Sequence, residues 1–283
     1  MKKVIKAIML TLGAVLISMG TVGCTASDTP ASNNTQQTSV DLIISNDIVR
    51  IGVFGDKPPF GYIDESGESQ GFDIYLAKRL AKELLGNENK VEFILVEAAS
   101  RVEYLQSGIV DIILANFTVT EERKQVVDFA NPYMKVALGV VSSENTPITD
   151  ISQLEGQQLI VNRGTTADAY FTRNHPEINL LKFDQNTEAF QALRDGRGVA
   201  LAHDNTMLFA WVQENDGFIT AIEALDSVDF IAPAVQKGNE SLLNWINKTL
   251  ELLAEENFMA EAYKATLEPI YGDSVEPGSI IID

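Results

Sequence analysis

Cysteine occurs once in the 283 residues, at Cys24. No intramolecular disulfide is therefore possible, and stability in an oxidising compartment must rest on an ordinary core. Histidine occurs twice, and no metal-ligand cluster, P-loop or dinucleotide glycine fingerprint is present, which leaves metal and nucleotide chemistry without support in the sequence. Basic residues are also scarce: 21 Lys and Arg stand against 40 Asp and Glu, a formal net charge of −19. A surface of that sign repels nucleic acid and anionic headgroups, although a pocket can carry the opposite local charge. No apolar run reaches the ~20 residues of a membrane span.

The longest apolar run, residues 7–22, follows Lys2, Lys3 and Lys6 and is broken by Gly13, Ser18, Gly20 and Thr21. A basic start, a short apolar stretch and small residues at its end read as a secretory signal peptide over 1–23. Thr21-Val-Gly-Cys24 resembles a lipoprotein cleavage box with Thr in place of the usual Leu, which makes Cys24 the expected lipidated N-terminus and membrane anchor. Residues 24–40, rich in Ser, Thr, Asn, Gln and Pro, then read as a flexible tether. Losing residues 1–23 removes three lysines and takes the formal charge to −22.

The chain is organised around Asn116-Phe-Thr-Val-Thr-Glu-Glu-Arg-Lys-Gln-Val-Val-Asp-Phe-Ala-Asn-Pro-Tyr133. The short apolar run before it, 112–115, reads as a buried strand, and Thr120 with Glu121 and Glu122 after it reads as an N-cap and first helical turn. A strand end, backbone amides, Thr118, Thr120 and Arg123 thus converge, and an arginine fork matches a carboxylate bidentately. A lone arginine in such a place ordinarily closes a salt bridge within the fold. The rest of the chain argues otherwise.

Strand-like and helix-like segments alternate. Residues 49–54, 91–96, 136–141, 159–162 and 199–202 read as strands; 71–84, 101–105, 183–196, 242–253 and 258–267 read as helices. That alternation predicts an α/β architecture with largely parallel sheets and ligands at the carboxyl ends of the strands. The loop Gly55-Asp-Lys-Pro-Pro-Phe-Gly61 is stiffened by two prolines and so holds Lys57 and Phe60 in place. Arg163-Gly-Thr-Thr-Ala-Asp-Ala-Tyr170 repeats the pattern strand, glycine, threonine, helix, and its free amides favour an anion. Two such starts facing one cleft would clamp one carboxylate. Gly67-Glu-Ser-Gln-Gly71 fits the serine-hydrolase pattern, but no buried strand precedes it, so it is a hydrophilic turn.

The motifs Thr118-x-Thr-x-x-Arg123, Asp128-Phe-x-x-Pro-Tyr133 and Gly71-Phe-Asp-x-x-Leu-Ala77 resemble the signature of bacterial extracellular solute-binding proteins for polar amino acids, family 3. The resemblance runs over residues 47–267 in matching order. Stretches 96–104, 113–118, 163–170 and 203–206 are similar to its cysteine-binding members. It implies a two-lobed α/β fold with two hinge-crossing strands: lobe 1 from 41–138 plus 234–283, lobe 2 from 139–233. It implies a binder, not an enzyme, that passes a free amino acid to an ABC permease outside the cytoplasm and needs no cofactor.

The implied roles follow residue by residue. Arg123, Thr118 and the amides of Gly164, Thr165 and Thr166 take the ligand's α-carboxylate. Asp204, with the Asn116 carbonyl, takes its α-ammonium, because a charged group with three donors cannot be desolvated unpaired. Phe60 and Phe117 are apolar walls, and Arg101 is at a position that reads the ligand's side chain; Lys57 departs from the family's aromatic or polar residue there, and either attracts an anionic group or is solvated. His203 is expected to be structural or at the rim. L-Cysteine is the favoured ligand, with aspartate, glutamate and cystine as alternatives. Readings of another class, a dehydratase-like enzyme using His203 or Glu97 and a surface adhesin, find less support.

Overall fold

The computed structural model describes residues 37–225 and 227–282. The expected signal peptide, Cys24 and most of the expected tether lie outside them. The last tether positions do not continue as loop: Thr38 caps a helix, Ser39–Asn46, through a reciprocal capping box with Asp41.

Two five-stranded sheets carry the two lobes. The first runs in the order Val91–Leu95, Val49–Val53, Ile112–Ile113, Ala234–Gln236, Val127–Phe129. The second runs Asn179–Phe183, Gln158–Asn162, Ala200–Asp204, Leu138–Ser143, Phe218–Ile222. In each, the first three strands are parallel and the fourth is antiparallel to its neighbours. The sheets are thus mixed rather than largely parallel, because the fourth strand of each comes from a chain segment entering from the other lobe. Parallel strands covered on both faces require apolar residues throughout, and Ile51, Val53, Ile112, Ile113, Leu159, Ile160 and Val161 are buried.

The chain crosses between lobes twice. Met134–Val136 and Asp229–Ile231 are these crossings, and they pair antiparallel with each other. Leu138 is already paired with Asp204 in the second sheet. The C-terminal helices Glu240–Glu255 and Phe258–Thr266 pack on the first lobe beside helix Phe72–Leu85. The segment after them reaches further than lobe 1: the Tyr271 hydroxyl donates to the Thr206 carbonyl at 2.7 Å, and Ile281 bridges to Met134. It braces the crossing region because Tyr271 and Ile281 find buried apolar surroundings there.

Candidate functional site

The strand ends of both sheets bring most of the expected residues to one small cavity. Lys57, Arg101, Asn116, Thr118 and Arg123 from the first lobe line it, facing Thr165, Thr166 and Asp204 from the second, with Phe54 and His203 completing the wall. Its free volume is about 10 Å³, roughly the room one water needs. A wider groove of about 730 Å³ adjoins it and shares Arg123, Thr165 and Thr166.

Each side chain is aimed by local structure. Asn116 follows the strand Ile112–Ile113 in the left-handed region, φ 46°, a conformation asparagine tolerates better than most residues. Its amide N–H donates to Asp73 Oδ2 at 2.8 Å, and Asp73 Oδ1 accepts from the Tyr133 hydroxyl at 2.6 Å. Asp73 sits at the start of helix Phe72–Leu85, which is why the Gly-Phe-Asp motif matters to the site. Gly71, with φ 116°, cannot be replaced without a Cβ 2.3 Å from the Phe60 carbonyl oxygen. Thr120 accepts from the Arg123 amide as the N-cap of the single turn Glu121–Lys124. Thr165 accepts from the Asp168 amide as the N-cap of helix Thr166–Asn174.

Three cations are concentrated here. Arg101 is buried, donating to the carbonyls of Ala98 (3.0 Å), Ala115 (2.9 Å) and Gly164 (3.3 Å). Arg123 donates to the carbonyls of Thr118 (2.6 Å) and Gly164 (2.8 Å). Both guanidinium planes lie over the Phe117 ring, at 4.3 and 4.6 Å from its centroid, a favourable cation–π geometry. Burial lowers both: Arg101 well below the usual arginine range, with Arg123 as the next cause, and Arg123 to about 10. Arg123 therefore stays charged at neutral pH.

The third cation, Lys57, is 2 % exposed. Its Nζ donates to Asp204 Oδ2 at 2.6 Å and to Asn116 Oδ1 at 2.7 Å, with the Phe54 and Phe60 rings 5.5 and 5.9 Å away. Burial pulls the Lys57 ammonium down, opposed by Asp204. Burial alone pushes the Asp204 carboxyl up, but the neighbouring charges, Lys57 first, hold it below the usual carboxylate range. The contact between them spans the two lobes. A protein of net charge −19 has built a locally cationic site.

His203 is buried and neutral. The Asp204 backbone N–H donates to its Nδ1 at 2.7 Å, which leaves Nε2–H to donate to Asn186 Oδ1 at 3.1 Å. Burial, then the charge of Lys57, takes its pKa to about 3. The role is structural, and it belongs to an interlobe chain in which Asp56 accepts from the Asn186 amide (2.6 Å) and side-chain Nδ2 (2.9 Å).

Some expected placements differ. The Asn116 group facing an ammonium is its side-chain Oδ1; the backbone carbonyl is turned to Arg101 at 3.4 Å. The Gly164 amide donates to Asp168 Oδ2 and its carbonyl serves the two arginines, so Gly164 orients cations instead of offering an N–H to an anion. Phe60 backs Lys57, while Phe54 lines the cavity in its place; Phe117 lines the wider groove beneath the guanidinium groups. Sequence reasoning missed Asp73, Phe54 and the Asp56–Asn186 contact. Only the acid inside an otherwise apolar helix start, Gly71-Phe-Asp73, gave a signal.

The model of the bacterial extracellular solute-binding proteins, family 3, matches residues 49–268. The chain belongs to that family. Two solved structures are highly similar: the Neisseria gonorrhoeae solute receptor for L-cysteine, 60 % identical with a TM-score of 0.85 over 86 % of this chain and 99 % of that one. The second is the Campylobacter jejuni cysteine-binding protein, 56 % identical with a TM-score of 0.86 over 87 % and 99 %. A Bacillus subtilis ABC transporter glutamine-binding protein is 33 % identical over 93 % of this chain and 97 % of its own length. As a family 3 protein the chain is a solute binder, not an enzyme.

Proposed function

We propose that this protein binds L-cysteine between its lobes outside the cytoplasm and delivers it to an ABC permease, held to the membrane by a lipid on Cys24 after loss of residues 1–23. The observation that carries the ligand is the 60 and 56 % identity to two cysteine-binding proteins over almost their full length. In this reading Arg123, Thr118 and the Thr165 and Thr166 amides hold the α-carboxylate. Asp204 and Asn116 Oδ1 hold the α-ammonium. The first group sits partly on lobe 1 and the second partly on lobe 2, so ligand contacts favour the closed state, as differential affinity for one conformation requires.

A second reading has one observation in its favour. Lys57 and Arg101 leave positive charge for a ligand side chain, which suits aspartate or glutamate. Thermal unfolding of the purified protein against each amino acid and cystine separates the readings. Ligand at about a thousandfold its Kd adds ~4 kcal/mol of stability, so a shift of several degrees with cysteine, and not with aspartate, glutamate, glutamine or cystine, is expected. A shift confined to the acidic amino acids would replace cysteine with them. For the anchor, replacing Cys24 with serine should release the protein from membranes; unchanged retention would remove the lipid from the account.

A further inference from the structure

Lys57 puts an ammonium on the carboxylate that the ligand's own ammonium is to use. Its Nζ, 2.6 Å from Asp204 Oδ2 and 2.7 Å from Asn116 Oδ1, makes the two contacts assigned above to the amino acid. A ligand ammonium that takes these same two oxygens, Asp204 Oδ2 and Asn116 Oδ1, exchanges with Lys57. The displaced Lys57 stays beside the cavity, because its side chain is buried against Phe54 and Phe60. It then needs a new partner, since a buried unpaired ammonium is strongly disfavoured.

Among the described residues, no further carboxylate is on hand to supply that partner. The charged and titratable neighbours of Lys57 from every packed element are Asp204, Asp73, Arg101 and His203. Asp204 is given to the ligand ammonium, and Asp73 is already held by the Asn116 amide and the Tyr133 hydroxyl. Arg101 is a cation and His203 is neutral. A zwitterion of net charge zero leaves the cationic surplus of Lys57, Arg101 and Arg123 as it was. A ligand carrying one further negative charge reduces it.

We propose that cysteine is bound as its thiolate, with Lys57 handed from Asp204 to the ligand sulfur. The inference rests on the cysteine reading. The S–H bond breaks, its proton leaves to solvent, the electron pair stays on sulfur, and Lys57 remains an ammonium; nothing is oxidised. A free thiol has a pKa near 8.5, so about one proton is released per cysteine bound at neutral pH. The apparent affinity then rises about tenfold per pH unit between roughly pH 5.5 and 7.5. Asp73, whose carboxyl burial pushes up to about 7, gains negative charge in the same window and opposes anion binding, so it flattens that slope and cannot be its source.

The experiment is calorimetric titration of L-cysteine, kept reduced, into the protein in buffers of different ionisation enthalpy and pH, with the ultraviolet thiolate band of the complex recorded in parallel. Expected are release of about one proton, the tenfold slope and a thiolate band at neutral pH. Lys57→Arg keeps the proton release and the band, whereas Lys57→Met, with circular dichroism confirming its fold, loses both at whatever affinity it retains. Cysteine binding with no proton release and no band overturns the thiolate and leaves the cysteine reading intact. No binding of cysteine at all overturns both.

Discussion

In the proposed reading binding turns on Arg123 and Asp204, and of the two only Arg123 can be removed without leaving the buried Lys57 ammonium unpaired. Arg123 lies at the mouth of the site, reaching the carbonyls of Thr118 and Gly164. Charge-assisted hydrogen bonds are worth about 1.5–3 kcal/mol each. Arg123→Ala should therefore weaken amino-acid binding by about 100-fold or more, read by calorimetry, with little change in melting temperature of the unliganded protein. Asp73 and His203 make a second prediction, this time about pH. Asp73 is pushed up to about 7 by burial, against hydrogen bonds from Tyr133 and the Asn116 amide. Its contribution to stability is full below its unfolded pKa near 3.8 and is lost as pH rises through about 7. His203 is depressed to about 3, so its contribution is full above its unfolded pKa near 6.5 and is lost as pH falls towards about 3. The two slopes oppose each other between about pH 4 and 6.5. Asp73→Asn should leave a stability that rises with pH across that window, and His203→Gln one that falls, both measured by denaturant unfolding; parallel profiles would contradict the assignment. The residues that line the cavity were largely legible from motifs, because their types match the chemistry of a zwitterion. Asp56 with Asn186 was not: the partners are 130 positions apart, and no local pattern announces such a pair.

Among the elements, the loop Arg163–Thr165 shows how close the lobes come. Gly164 has φ 72°, and a Cβ there would lie 2.7 Å from the Ala99 Cα and 2.9 Å from its amide nitrogen, both on the opposite lobe. Backbone cannot yield as a flexible side chain does, and the left-handed φ adds strain for any residue with a Cβ. Gly164→Ala should therefore hold the lobes apart and weaken ligand affinity at least tenfold, with secondary structure by circular dichroism unchanged; unaltered affinity would show that this approach is not needed for binding. Helices with a clean apolar face, such as Phe72–Leu85 and Glu240–Glu255, were legible because burial imposes their 3.6-residue period. The short strand Ile112–Ile113 was legible in place but not in pairing, and Met134–Val136 was not told apart from the run read at 136–141. Two or three residues carry no record of whether a neighbour runs parallel or antiparallel, and so the mixed sheets came only with the coordinates.

Across the whole molecule, two crossings and one C-terminal brace join the lobes. The brace was invisible in the sequence, where residues after 267 look like an ordinary tail, since Tyr271 finds Thr206 only through the tertiary fold. The Tyr271 hydroxyl is buried on that carbonyl, and one such hydrogen bond contributes about 1 kcal/mol. Tyr271→Phe should lower the denaturant midpoint accordingly; an unchanged midpoint would argue that the tail does not hold the crossings. The two-lobed plan itself was legible, because family 3 motifs run in order along the chain. The claim beneath all of this is that opposite lobes answer the two charged ends of a free amino acid. Titrating the protein with L-cysteine, its methyl ester and its N-acetyl derivative tests it most directly. Both blocked forms should bind at least 100-fold more weakly than cysteine, since each leaves Arg123 or Asp204 without its partner. Equal binding of either one would contradict the account.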